Sequence, residues 1–344
     1  MDRILANADA HLAVISRAFD ASQLHLTAEA HKIFRRYTTK YDLTPDEAME
    51  LLQNPISQSE YYLLLAKINA MPQSPERLRL EALASRGAYA YRITQKEALQ
   101  ANIAIETAKI ARVVEDQTTG QLRFTAAEAY QSRMFDIQQQ LGHMFAVPDI
   151  DGLQAVLDTS WSGANYSDRA WANAENFAEK LNQKILEGFT GAKSWREMAQ
   201  DISQEFGAAR YKAERLVRTE SSYLANQRDL QAYKDANVIR YMYVTSLDAR
   251  TCPVCAPLDR QIYEVAKAVV GDNYPILHPN CRCTTASVRN HQTAYSGRRR
   301  GRGTDGKEWV LFPKSMTHAE WVAWQRDGGP MDDIDGWLSD YRKR

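Results

Sequence analysis

The sequence predicts an α+β protein: a mainly helical N-terminal region followed by a helical plus small antiparallel β module. Three observations predict it. Good helix formers with recognisable start signals and few glycines run through the first 145 residues. The periodicity changes only after Asn237, where β-branched and aromatic residues take over. All four cysteines, Cys252, Cys255, Cys281 and Cys283, then fall within about thirty residues of that β region.

In chain order, Thr44-Pro45-Asp46-Glu47 reads as a helix start, with a capping Thr, Pro at the first helical position and Glu closing a capping box. Ser74-Pro75-Glu76 repeats part of that grammar, and the breaks QNPIS at 53–57 and MPQSP at 71–75 separate helices. Residues 1–146 are expected to form a helical domain or docking arm, and residues 147–168, rich in Pro, Gly, Asp and Ser, a connection. Helices are expected from Asp168 to Gly188, from Ser194 to about Phe206 after the capping box SWRE, and over roughly 208–236. VIRYMYVTS at 238–246 reads as a strand, with QIYEV at 261–265 and TTASV at 284–288 as short partners, so that 169–290 forms one module. Residues 291–344 read as a Gly- and Arg-rich linker and a tail, in which MTHAEWVAWQ forms an amphipathic helix. Trp321 and Trp324 are expected at a subunit interface.

Lys plus Arg and Asp plus Glu both total 43, which excludes a histone-like or membrane-surface charge bias and confines nucleic-acid contact to a local patch. The first residues lack a basic n-region, and no apolar run approaches the roughly 20 residues of a bilayer span, so no membrane partner is expected. Clustered cysteines without a signal-like start point to a reducing compartment and to metal.

The candidate ligands are Cys252 and Cys255, with two residues between them in a C-x-x-C turn, and His278, Cys281 and Cys283 in HPNCRC, so five donors compete for the four positions of tetrahedral Zn²⁺. If 281–283 is extended, Cys281 and Cys283 share a face and Arg282 points away, to face a neighbouring helix with Glu220 as its candidate partner. A structural zinc would give a small β region with little core the stability it needs. Plain burial of the thiols, or a disulfide, is the alternative. Catalysis is disfavoured: a zinc deaminase needs H-x-E before P-C-x-x-C, whereas His318-Ala319-Glu320 follows the cysteines and Thr251 precedes Cys252.

Arg218 and Glu220 in RTE point to different faces of their helix and, with Arg282, are candidate structural anchors; a solvated helix face is the alternative for the first two. Arg298, Arg299, Arg300 and Arg302, flanked by glycine, form a flexible cluster able to neutralise phosphates without reading sequence; a plain soluble linker is the alternative.

The ordered set RLVRTESSYLANQRDLQAY, VTSLDARTCPVCAPLDRQIYEV and HPNCRCTTA resembles the phage head morphogenesis, or minor head protein, family that includes the Mu F-like proteins. The resemblance covers roughly 165–290, and PKSMTHAEWVAWQ extends it into the tail. Where the family pattern often has Gly, this chain has Arg260. The resemblance implies a structural, non-enzymatic minor head (minor capsid) protein of a tailed phage or prophage. Such a protein sits in the virion, in the head interior or at the portal vertex, after assembly in the host cytoplasm. Its implied partners are portal protein, capsid proteins and packaged double-stranded DNA, and its roles head morphogenesis and DNA packaging or delivery. The competing reading is a nuclease or toxin-like effector enzyme carried in the head.

Overall fold

The computed structural model describes residues 2–38, 45–85, 93–141, 163–191, 193–288 and 297–344. The chain is mostly helical with small antiparallel sheets. The first helices are α1 (Asp2–Thr38), α2 (Pro45–Leu52), α3 (Gln58–Asn69), α4 (Pro75–Ala84) and α5 (Gln95–Leu141). Then come α6 (Tyr166–Thr190), α7 (Trp195–Asp235), the strands β1 (Arg240–Val244), β2 (Ile262–Glu264), β3 (Thr284–Val288), β4 (Arg298–Arg302) and β5 (Trp309–Pro313), and finally α8 (His318–Arg326) and α9 (Ile334–Tyr341).

The starts follow the local sequence. Ser74 accepts from the Arg77 N–H with Pro75 in the first turn of α4, and Ser194 and Glu197 exchange side-chain-to-backbone bonds ahead of α7. Thr44 lies outside the described residues, as does the connection expected from 147 as far as 162. Where two helices were expected on either side of Gly207, α7 runs through it. Glycine costs a helix only about 1 kcal/mol, and the buried Phe206 beside it outweighs that. Asn237, at φ 53, ends the helical path, with the Val238 N–H returning to the Tyr233 carbonyl.

The described residues divide into two compact units, and α1, α5 and α7 contribute to both. The helical unit draws on Asn7–Gln121 and Leu157–Val217. Leu12, Ile15, Phe19, Leu26, Ala30 and Ile33 form the buried stripe of α1. Phe19 meets Phe177 and Phe206 there, the last two edge to face at 4.9 Å.

The second unit draws on Met1–Ala6, Leu122–Val156 and Arg218–Arg344. Its three-stranded sheet has the order β2-β1-β3, with Tyr241 opposite Tyr263 and Ser287. Tyr241, Met242 and Tyr243 of the central strand are all buried, so both faces of the sheet are covered. Tyr130, Met134, Tyr233, Tyr241 and Tyr274 pack together against one of them.

Two expectations for the tail are corrected. Residues 298–302, read as a flexible linker, form β4, paired with β5 in register Arg298↔Pro313 to Arg302↔Trp309. Gly301 permits this, because a Cβ there would stand 2.7 Å from Leu247 and 2.8 Å from the Phe312 ring. Trp321 and Trp324, expected at an interface, are buried within the chain beside Leu247, Phe312 and Met316.

Candidate metal centre

The C-x-x-C turn follows β1. Residues 252–256 wind into one turn, with the Cys255 and Ala256 N–H groups donating to the Cys252 carbonyl at 3.2 and 3.0 Å. The Cys255 N–H also faces the Cys252 sulfur at 3.4 Å. The turn carries the thiols to one side and leaves Val254 at its exposed tip.

The chain then runs through a short 3-10 turn and Arg260, whose φ of 67° is left-handed backbone. This is the position where the Mu F-like pattern often has Gly, and the backbone gives the reason: a side chain there costs about 1–2 kcal/mol.

The return segment brings His278, Cys281, Arg282 and Cys283 back. A helix face holds it. On α7, Thr219, Ser222 and Asn226 recur at helical spacing, and each grips its backbone: the Asn280 N–H donates to Thr219 Oγ1 at 3.0 Å, Ser222 Oγ donates to the Cys281 carbonyl at 2.8 Å, and Asn226 Nδ2 donates to the Cys283 carbonyl at 3.2 Å. Sequence reasoning singled out Arg218 and Glu220 in this stretch and missed these three. Their signal was three short polar residues on one stripe of a helix.

Arg218 is exposed and Glu220 buried. Arg282 turns to the side opposite Cys281 and Cys283 and meets Asp248, after β1, in two hydrogen bonds of 2.5 and 2.7 Å, where the sequence suggested Glu220. A second clasp joins α5, α7 and β3, because Arg133 Nη2 donates both to Asp229 at 2.6 Å and to the Thr285 carbonyl at 2.9 Å.

All five predicted donors gather in one place, as two triads that share Cys255: Cys252, Cys255 and His278, and Cys255, Cys281 and Cys283. Within each triad the donor atoms lie within 4.8 Å of one another. His278 Nε2 stands 3.0 Å from the Cys252 sulfur and 3.2 Å from that of Cys255, and the sulfurs of Cys255 and Cys281 are 3.9 Å apart. Zinc at about 2.3 Å from sulfur in a tetrahedron sets sulfurs about 3.8 Å apart, which the Cys255–Cys281 pair matches. The donor set therefore fits a metal ion.

The protonation pattern of the thiols fits it too. Hydrogen bonds from Cys255 and Cys283 draw Cys281 far below an ordinary thiol, while those same bonds hold the proton on Cys255 and Cys283 and push both up. Thiols bind a metal as thiolates, so a cation among the three would favour their ionised form. Burial opposes ionisation of Cys252, but the Cys255 and Val254 N–H groups outweigh it and lower its value. Burial also opposes charge on His278, yet the Pro279 carbonyl and the nearby sulfurs raise it above an ordinary imidazole. Tyr243, fully buried with its hydroxyl 3.8 Å from the Cys255 sulfur, is held neutral by burial and by the thiols.

Of the four arginines from 298 to 302, Arg299 turns inward. It donates to both oxygens of Asp259 at 2.8 and 3.2 Å and to the carbonyls of Thr245 and Met316. Asp259 also accepts the N–H groups of Thr245 and His318, each at 2.8 Å. Its carboxylate therefore joins β1, β4 and the start of α8. Arg298, Arg300 and Arg302 alternate to the other face of β4.

Residues 176–286 match the family described as Phage Mu protein F like protein. The match starts within α6 and ends within β3, and so takes in the whole donor cluster and the α7 face that grips it. The NAD(+)–arginine ADP-ribosyltransferase EFV of Enterococcus faecalis is 21% identical over 206 residues, 55% of this chain and 42% of that protein. The chain thus spans less than half the length of that relative. No solved structure matches. Among the described residues no helix is long and apolar enough to cross a membrane.

Proposed function

We propose, from the premise that residues 176–286 carry a Mu F-like module of the phage head morphogenesis family, that this chain is a minor head protein. A phage head protein in general is what that match supports. The finer reading is a virion component at the portal and inner capsid, acting in head morphogenesis and in DNA packaging or delivery, with portal protein, capsid proteins and packaged double-stranded DNA as its partners. In this reading residues 1–146 serve as the docking arm and 169–290 as the module.

One observation carries the structural role of the cluster: Cys255, Cys281 and Cys283 are 1%, 2% and 5% exposed, so these three donors face inward, with Cys252 and His278 half-buried beside them. Four of Cys252, Cys255, His278, Cys281 and Cys283 would hold zinc, which supplies a closed tetrahedral cross-link and so contributes its binding free energy to folding. Arg282, Arg218 and Glu220 are assigned to anchoring the hairpin.

The test is co-expression with the portal and major capsid proteins of the same genome, followed by isolation of procapsids. Retention of this chain in the particles supports the reading; its absence from every particle fraction overturns it. Purified chain is incubated in parallel with labelled NAD⁺ and an arginine-rich acceptor, and with DNA. Label transfer or strand cleavage above a heat-treated control would establish the effector-enzyme reading in its place.

A further inference from the structure

We propose that the outward face of the β4–β5 hairpin is a binding surface for single-stranded nucleic acid, with Arg298, Arg300 and Arg302 as its phosphate contacts and Trp309 as its stacking platform. The proposal goes beyond the head role and stands without it, because free oligonucleotide would bind whether or not the chain enters a particle.

Pleating sorts the side chains. Arg299, Gly301, Val310 and Phe312 lie on the inward side, and Arg299 is spent on the buried Asp259. Arg298, Arg300 and Arg302 share the outward side with Trp309 and Leu311, which are 57% and 58% exposed. Residues two apart on a strand are about 6.7 Å apart, close to the spacing of successive phosphates along a nucleic-acid chain. Three guanidinium groups in that array are complementary to a polyphosphate backbone, and their planar fork suits phosphate oxygens.

Arg302 is also held in place. The Arg302 carbonyl accepts from Trp321 Nε1 at 2.9 Å and Gln325 Nε2 at 3.0 Å, its N–H bonds the Leu247 carbonyl at 2.8 Å, and its Nη1 donates to the Lys307 carbonyl. Asp305 in the hairpin turn accepts from the N–H groups of Lys307 and Glu308, which fixes its carboxylate in the turn.

Trp309 decides between single strand and duplex. The Arg302 guanidinium lies 3.9 Å from its ring centroid, covering one side, and the ring is still more than half exposed. A cation on one face and an open surface on the other is how proteins stack an unpaired base. In a duplex the bases are already stacked on one another and offer the ring nothing. Asp335 competes for the same face, pairing with Arg298 at 2.5 Å in an ion pair whose partners are 47% and 60% exposed.

The experiment uses the full chain and fluorescence anisotropy with a labelled 12-nucleotide single strand, the matching duplex, and polyglutamate as an acidic-polymer control. The single strand should bind more tightly than duplex or polyglutamate, with a log–log salt slope of about −2 for three phosphates. Each Arg→Gln change at 298, 300 or 302 should reduce that slope by about 0.7. Trp309→Ala should weaken the single strand about tenfold and leave the slope unchanged. Asp335→Asn should tighten binding, a gain that misfolding cannot mimic. Duplex or polyglutamate binding as tightly as the single strand, indifference to Trp309→Ala, or no binding at low salt would each overturn the proposal.

Discussion

The helical unit and the β module are held by different chemistry. In the first, long helices bury continuous apolar stripes, and Phe19, Phe177 and Phe206 meet at its centre. In the second, strands of three to five residues cannot bury a comparable stripe. The Arg133–Asp229 and Arg299–Asp259 pairs and three short polar side chains of α7 tie its elements together, and the proposed zinc site would add to them. Apolar burial is indifferent to chelators and weakly sensitive to local charge. Buried ion pairs are sensitive to local charge, and a metal held by the five donors would be sensitive to chelators, so the two units should part under treatments that act on one chemistry only.

The largest separation should come from metal removal. With a strong chelator, or with Cys281→Ser, hydrogen exchange should become fast across β1 and β3 while α1 keeps its protection. A structural zinc contributes on the order of 10 kcal/mol in small folds, more than a module of this size can lose. Elemental analysis should show about one zinc per chain before treatment. If β1 and α1 lose protection together, or if neither does, the contrast between the units is wrong.

Next in size is a matched pair of core changes. Asp259→Asn leaves Arg299, 8% exposed at its side chain, without its charge partner, at a cost of about 3–5 kcal/mol. Phe206→Ala empties the helical core at a similar cost, about 3–5 kcal/mol. The first should loosen β4, β5 and α8 in exchange experiments, and the second only the helical unit. A replacement of Asp259 that leaves the hairpin's protection intact would remove the ion pair from the account.

What was legible in the sequence follows the same division. The helices, and β3 at Thr284–Val288, were legible because period and capping are local. The five donors were legible as a group, because C-x-x-C and HPNCRC put special chemistry at short spacing. The grip of Thr219, Ser222 and Asn226 was not, since three polar residues on a stripe look like a solvated face until the loop that covers them is known. Arg298–Arg302 misled for a related reason. Composition there says linker, and only Asp259, about forty positions earlier, makes an inward arginine stable. The family pattern's Gly at Arg260 did carry structural information, because it marked left-handed backbone.

The smallest predicted effect separates surface electrostatics from both cores. Glu320 closes the capping box of α8, accepting from the Thr317 N–H at 2.7 Å, and it also accepts from Arg342 Nε at 2.7 Å and Nη2 at 3.1 Å. Burial alone would raise its carboxyl, but the bonds from Arg342 and Thr317 prevail and hold it below the ordinary glutamate value. A carboxyl depressed in the folded state stabilises above its unfolded value, and that contribution is lost as the pH falls through the folded value. The start of α8 should therefore loosen in the acid range below the ordinary carboxylate value, with no change between pH 6 and 8 from this group. Glu320→Gln should cost less than about 1 kcal/mol at neutral pH and remove the acid dependence, since the cap survives and only the charge pair goes. Denaturant melts of the two proteins across the acid range check it. If the melts run parallel as the pH falls, Glu320 is not the source of the acid sensitivity.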